Sequence, residues 1–433
     1  MIHRFAKLFI LAGISILTLF TLLRHVSWER IPQIVGLGEE FGPSEEQIGY
    51  ATDALFSLHG GEPDQDDPSK SSNKIDSSFG DGHARKRPPG QTKPPGSNYT
   101  RTLVIARLSR EDTTWIEQEL QDMLDTGELN TAIYTVDEPQ APFKVPKNKG
   151  HEVMVYLSYV IDFYDSLPDI ALFMHSHRFA WHNDRILETD ASLMVRRLSP
   201  ERVTREGYMN MRCQWGPGCP AWLHPGTTVQ NPKKKEEVLI GESWAELFPF
   251  DLAPTVLAQP CCAQFAVSRE RIRAIPKSRY IFMRDWLLRT EYSDFLSGRV
   301  FEYMWHYIFS GEPVHCPSMT ACYCDGYGLC FGSEEGMDYW YELMHKKNEV
   351  KKDLKAWQAK ADRIDDEKKK HGMVAEEAVM EVPEFGKDEA LKAKIALIGA
   401  KMNDIVRKAI EKGNDPKQRA IGSGREWNEG DGF

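Results

Sequence analysis

Between residues 103 and 174 the chain changes hydrophobic period four times. Residues 103–108 (LVIARL) form a short, partly β-branched apolar run. Residues 113–122 (TTWIEQELQD) then place Trp115, Ile116 and Leu120 on one face of a helix. Residues 131–136 (TAIYTV) are a second short run. Residues 149–167 carry Val153, Leu157, Val160 and Tyr164 at helical spacing and stop before Pro168, and residues 170–174 are a third run. Parallel strands need a crossover of about a dozen residues or more, and a helix supplies it. The alternation therefore predicts an α/β fold: a Rossmann-like, mostly parallel sheet flanked by helices.

Such sheets bind ligands just beyond the carboxyl ends of their strands, so the residues there are the candidates for chemistry. The third strand runs into HSHRFAWHND. His175 and His177 are two apart on an extended chain and share a face. With His182 and Asp184 they form a candidate metal set for Mn²⁺ or Zn²⁺, or a phosphate site. His177 doubles as a catalytic candidate, and Trp181 as a platform for a sugar ring. The competing reading is that these side chains plug the sheet edge. After the first strand come Arg107, Glu111, Asp112 and Trp115. Arg107 suits a diphosphate and Asp112 a ribose or base, whereas Ser109 or Asp112 could equally cap the next helix. Lys149 adds charge where a helix start favours anions, against ordinary capping. Asn210 and Arg212 alternate with Met209 and Met211, lining a pocket or a wet strand face. Glu302 lies in RVFEYMWHYIF, among Phe301, Met304, Trp305 and Ile308. A carboxylate there is a candidate general base with a raised pKa, or half of a buried ion pair with Arg269 or Arg299. No GxGxxG, P-loop or GxSxG occurs.

The rest of the domain reads less regularly. Strands are expected at 207–213 and 262–267, a helix start at 268–275, helices at 282–289 and 299–309, and loops at 216–225 and 315–332. Net charge of −10 excludes general nucleic-acid binding. The eight cysteines all fall between Cys213 and Cys330 with no CxxC pair, which predicts disulfides in an oxidising compartment rather than zinc. Adjacent Cys261 and Cys262 are each expected to find a partner elsewhere.

At the amino end, residues 8–23 carry no charge and follow Arg4 and Lys7, and no small-x-small cleavage site comes after them. Residues 1–25 read as a cytosolic tip and short uncleaved signal anchor, with the bulk of the chain lumenal. Residues 26–99 read as a stem, largely disordered, whose Asp64-Gln65-Asp66 is a chance DxD. Asn98-Tyr99-Thr100 is a glycosylation sequon. Residues 100–332 are the α/β domain. Residues 333–433 form a charged tail of two amphipathic helices, one striped by Val350, Leu354, Trp357, Ala361 and Ile364, the other by Leu391, Ile395, Ile398, Met402, Ile405 and Ala409. A hairpin packed on the domain or on itself is expected, with Gly372 and Pro383 bracketing its break.

The segments LVIARLSREDTTWI, GHEVMVYLSYVIDFYDSLPDIALFMHSHRFAWHND, GYMNMRCQWGPGCP, CCAQFAVSRERI and RVFEYMWHYIF together resemble a fungal, membrane-anchored family catalogued as a domain of unknown function, over roughly residues 100–332. That family looks like a GT-A glycosyltransferase in general shape. The resemblance implies a lumenal, Golgi setting, a nucleotide-sugar donor and a glycan or other hydroxyl acceptor. GT-A enzymes carry an acidic DxD after an apolar strand to hold a divalent metal, and here His175-Ser176-His177 stands in that place. The expectations are therefore a glycosyltransferase-like enzyme, a metal-dependent hydrolase using the histidine cluster, or a non-catalytic lumenal glycan-binding scaffold.

Overall fold

The computed structural model describes residues 87–229, 231, 234, 236–371 and 383–433. The expected anchor, the stem up to residue 86 and the break at 372–382 lie outside the described residues. Among the described residues no helix is long and apolar enough to cross a membrane.

Strand β1 (Arg101–Arg107), helix α1 (Trp115–Asp125), β2 (Leu129–Thr135), α2 (Glu152–Asp162) and β3 (Ile170–His175) follow one another as the periodicity implies. Then come α3 (Ala191–Arg197), α4 (Pro200–Glu206), β4 (Tyr208–Asn210), α5 (Glu237–Leu247), β5 (Phe265–Ser268), α6 (Arg269–Arg273), α7 (Lys277–Arg289), α8 (Asp294–Glu302), α9 (Trp305–Ser310) and α10 (Met319–Tyr327). The sheet has the order β2-β1-β3-β5-β4. β1 pairs in parallel with β2 and β3, whereas β5 runs antiparallel to both β3 and β4. Every strand but β5 thus points the same way.

Alternate residues of a strand face opposite sides of the sheet, and the two crossover helices use both. Leu103, Ile105, Leu172 and Met174 pack with Ile116 and Leu120 of α1. Val104 and Phe173 pack with Val153, Leu157 and Val160 of α2. Burial on both faces is why β1 and β3 read as nearly unbroken apolar runs. Because α1 and α2 lie on opposite faces, the chain reverses its winding between β1 and β3.

Two expectations for the second half change. Residues 299–309 form not one helix but α8 and α9, separated at Tyr303 and Met304, where the Tyr303 hydroxyl donates to Glu236 at 2.7 Å. Inside the expected loop 315–332 lies α10, capped by the Ser318 hydroxyl and ended by Gly328 at φ +65°. Its cysteines mask an ordinary capped helix.

The cysteines form four disulfides: Cys213–Cys322, Cys219–Cys316, Cys324–Cys330 and, contrary to expectation, Cys261–Cys262. The first two join segments 109 and 97 residues apart.

The tail comprises α11 (Glu334–His371), α12 (Lys387–Gly413) and α13 (Pro416–Gly422). Trp340, Leu343 and Val350 of α11 and Ile398 and Met402 of α12 join the apolar cluster beneath α1, so the tail packs on the domain as well as on itself. Residues 87–99, read as the end of the stem, are also laid on the body. Gly90 N–H donates to the Arg205 carbonyl at 2.8 Å, Lys93 pairs with Asp169 at 2.8 Å, and Arg271 donates to the Pro88 carbonyl at 2.9 Å. These partners sit at the amino-terminal edge of β3 and β4. The carboxyl terminus reaches the same edge, where Arg205 donates to the Gly432 carbonyl at 2.8 Å and covers the Phe433 ring.

Candidate functional site

The opposite edge gathers the chemistry. The carboxyl ends of β1, β2, β3 and β4 and the amino end of β5 all open there, so Arg107, Thr135, His175, Arg212 and Gln264 share one rim. The reversal of winding between β1 and β3 makes their junction the topological switch point, the usual ligand crevice of such sheets.

Two loops meet across that junction. Glu111 accepts from the Leu108 N–H at 2.8 Å and from the Ser176 hydroxyl at 2.9 Å. The Trp115 indole donates to the Ser176 carbonyl at 2.8 Å. Ser176, the residue between the two histidines, is thereby buried and tied to the loop after β1. On the other side of β1, Ser109 donates through N–H and hydroxyl to Asp137, each at 2.8 Å. Burial acts to raise the Asp137 carboxyl, but these bonds outweigh it and hold the carboxyl below its ordinary value. Arg107 is fixed between them. Its Nε donates to Thr135 at 3.2 Å and its Nη1 to Thr113 at 2.7 Å. Neutral hydroxyls hydrogen-bond this guanidinium, while the Asp112 and Asp137 carboxylates act on it only through space; its planar fork suits an anion.

Asp112 follows the capping alternative. It is exposed and accepts from the Thr114 N–H at 2.8 Å at the entry to α1, which lowers its pKa.

The expected metal quartet does not assemble. His175 Nε2 lies 3.0 Å from the Cys262 carbonyl oxygen, and its ring stands 4.4 Å from that of buried His182. Beyond His177 the chain doubles back, held by Asn183 donating to the Arg178 and Thr189 carbonyls at 2.8 and 2.9 Å. That reversal turns Asp184 into the core, fully buried. One oxygen accepts from Ile186 N–H at 3.0 Å, and the other from Cys213 N–H and the Tyr323 hydroxyl, each at 3.0 Å. Burial raises its pKa in spite of these donors. Among the described residues no three His, Cys, Asp or Glu side chains are grouped to hold a metal ion. His177 stays at the rim, half-buried, with Nδ1 at 3.4 Å from the Ser176 hydroxyl.

The remaining candidates brace the rim or lie away from it. Arg212 is buried, and desolvation lowers its pKa to about 10. It donates to the Trp181 and Gly216 carbonyls at 3.3 and 2.9 Å and stands 5.8 Å from the Trp181 ring. Asn210 accepts from the Arg212 N–H at 2.9 Å and donates to the Pro260 carbonyl at 2.6 Å. Both support the segment 259–264 instead of lining a wet face. Lys149 is buried, and its ammonium donates to the Thr290 carbonyl at the end of α7, a helix C-terminus that attracts cations. Glu302 takes the ion-pair alternative: Arg299 bridges it at 2.5 Å and Glu236 at 3.1 Å. Gln264 and the Cys261–Cys262 bond escaped the sequence reading. Gln264 accepts from the His175 N–H at 3.2 Å and donates to Asn183 at 2.9 Å, joining β5 to the loop after β3. The adjacent cysteines just before a strand were the available signal.

A family model described as a protein of unknown function, DUF3431, matches residues 103–325. The match spans the sheet and its rim and ends within α10. Among curated proteins nothing matches. One similar solved structure is glucosyl-3-phosphoglycerate synthase from Mycobacterium tuberculosis, in complex with Mn²⁺, UDP-glucose and phosphoglyceric acid. It is 15% identical, the match covers 49% of this chain and 76% of that one, and the TM-score is 0.22. So loose a superposition transfers neither residues nor ligands.

Proposed function

The chain belongs to the DUF3431 family of proteins of unknown function, and we propose, from the geometry of its rim, that it is a glycosyltransferase-like enzyme. It takes a nucleotide-sugar donor into the crevice between β1 and β3 and passes the sugar to a glycan or other hydroxyl acceptor. The observation that carries this reading is Arg107 at the switch point, oriented by Thr113 and Thr135. In sugar transfer the acceptor oxygen bonds to the anomeric carbon as the bond to the nucleoside diphosphate breaks. Negative charge then grows on the leaving phosphate, and a pre-oriented guanidinium stabilises it where it develops. His177 is read as the second rim group, donating to phosphate or taking the acceptor proton. Trp181 is read as the stacking surface for the sugar. No step is assigned to a metal, because Asp184 faces the core and His175 faces Cys262. The hydrolase alternative loses its ligand set for the same reason.

We also infer a lumenal, membrane-anchored setting. The apolar run at residues 8–23 supports the anchor, and disulfides joining segments about a hundred residues apart support an oxidising compartment.

Thermal shift against UDP, GDP and their sugar conjugates tests the proposal. A diphosphate at about 100 times its Kd stabilises by about 2.7 kcal/mol, and Arg107→Ala is expected to abolish that shift. If no nucleotide stabilises the wild type, with or without Mn²⁺, the transferase reading fails. Glycan binding without nucleotide binding would leave the scaffold.

A further inference from the structure

We propose that Cys261–Cys262 is a redox-active pair, reduced by small thiols or a dithiol while the protein stays folded, with Arg212 accommodating the thiolate released. The proposal does not depend on the transferase reading.

A bond between neighbouring residues closes no chain loop. It therefore gains almost nothing from the loop-closure entropy by which Cys213–Cys322 and Cys219–Cys316 stabilise the fold. Its effect must be local, and its surroundings indicate what that effect is. The buried Arg212 guanidinium places Nη1 3.4 Å from the Cys261 sulfur and 3.7 Å from that of Cys262. A cation at that distance lowers the free energy of a thiolate, which is both the leaving group in reduction and the nucleophile in re-oxidation.

The backbone shows what the bond holds. Cys262 and Ala263 sit at φ +91° and +48°, left-handed values that residues with a Cβ avoid unless held there. The held segment forms part of the rim. The Cys262 carbonyl contacts His175, the Pro260 carbonyl accepts from Asn210, and the Cys261 N–H donates to the Pro217 carbonyl at 3.1 Å. Opening the bond lets residues 262 and 263 leave the left-handed region, and His175 loses the carbonyl that positions it.

The step balances as ordinary thiol–disulfide exchange. A reductant thiolate attacks one sulfur, the S–S bond breaks, and its electron pair leaves on the other sulfur beside Arg212. The reductant's second thiol then displaces the mixed disulfide. Two cysteine thiols and an oxidised reductant result, with two electrons and two protons supplied by the dithiol.

Cys219–Cys316 serves as an internal control. Its residues are 8% and 6% exposed, against 9% and 6% for Cys261 and Cys262, so access is matched while the Arg212 contact is not. The experiment titrates the full chain with dithiothreitol, alkylates it and maps the labelled cysteines by mass spectrometry, with circular dichroism as the check on folding. Cys261 and Cys262 are expected to label together at reductant concentrations about ten-fold below those that open Cys219–Cys316. Arg212→Gln is expected to remove most of that gap. Should the variant not fold, the ratio between the two pairs in the wild type still decides. Simultaneous opening of both pairs, or earlier opening of Cys219–Cys316, overturns the proposal. So does labelling of Cys261 and Cys262 only after the fold is lost.

Discussion

Removing the Cys213–Cys322 bond should cost this protein a large share of its stability. The bond ties the residues after β4 to α10 across 109 residues of chain. Cys219–Cys316 lies inside that span and stays closed, so the ring that the outer bond adds runs only through residues 213–219 and 316–322. For about 14 residues the chain-entropy relation gives about 3 kcal/mol at 25 °C, because the unlinked denatured chain regains the freedom the bond withheld. Both cysteines are buried, at 1% and 2% exposure, so replacing both with alanine leaves a small void costing roughly 1 kcal/mol more. Whole domains are stable by only about 5–15 kcal/mol. The double variant Cys213→Ala, Cys322→Ala should therefore lose about 4 kcal/mol, a large share of that total. Guanidinium denaturation followed by tryptophan fluorescence measures the loss. The midpoint should fall and the slope should rise, since the unlinked chain exposes more surface on unfolding. The matched variant Cys261→Ala, Cys262→Ala should lose no more than about 1 kcal/mol, having no loop to release. A loss below about 1 kcal/mol in the first variant, or equal losses in the two, would refute the loop-closure argument.

Other expectations concern the buried charges. Asp184 has its pKa raised by burial, so the native state holds a proton that the unfolded chain, near 3.8, has released. Stability should then fall as pH rises from about 3.8 through the native value. The wild type minus Asp184→Asn difference in melting temperature isolates that slope, and a flat difference would count against it. Asp325 behaves oppositely. Burial alone would raise its pKa, but Arg202 at 2.7 Å and Arg205 at 2.5 Å lower it. Its contribution is present above about 3.8 and lost as pH falls through the native value. Asp325→Asn leaves two guanidinium groups without their carboxylate and should cost about 3–5 kcal/mol in a denaturation experiment. Glu302→Gln should lower the melting temperature by weakening the Arg299 bridge, while leaving nucleotide-induced shifts as in the wild type. A lost nucleotide shift with unchanged melting would return Glu302 to the site.

The legible part of the fold lies where local pattern decides structure. Strands β1 to β3 and helices α1 and α2 each bury a face that recurs with its own period, and the sequence places them within a few residues. The reversed β5 was not legible, since its direction depends on pairing with β3 some hundred residues away. The disulfide partners were hidden for the same reason. At the rim, the period of a strand put His175 and His177 on one face, but it says nothing about the loop that follows. Asp184 is claimed by Tyr323, 139 residues on, and by Cys213, 29 residues on. Those distant donors, with Asn183 shaping the turn, separate it from the histidines. The place of Arg107 at the rim was legible because the end of a first strand is a position set by topology alone.

The packing of residues 87–99 along the amino-terminal edge of the sheet fixes the polarity of the whole body. Whatever precedes residue 87 enters at that edge, the carboxyl terminus ends there, and the rim holding Arg107 and His177 is on the far side. The chain that leads into the body therefore approaches from the side opposite that rim and does not cross it. A label or affinity handle added after Phe433 would sit at that same edge and leave the rim open.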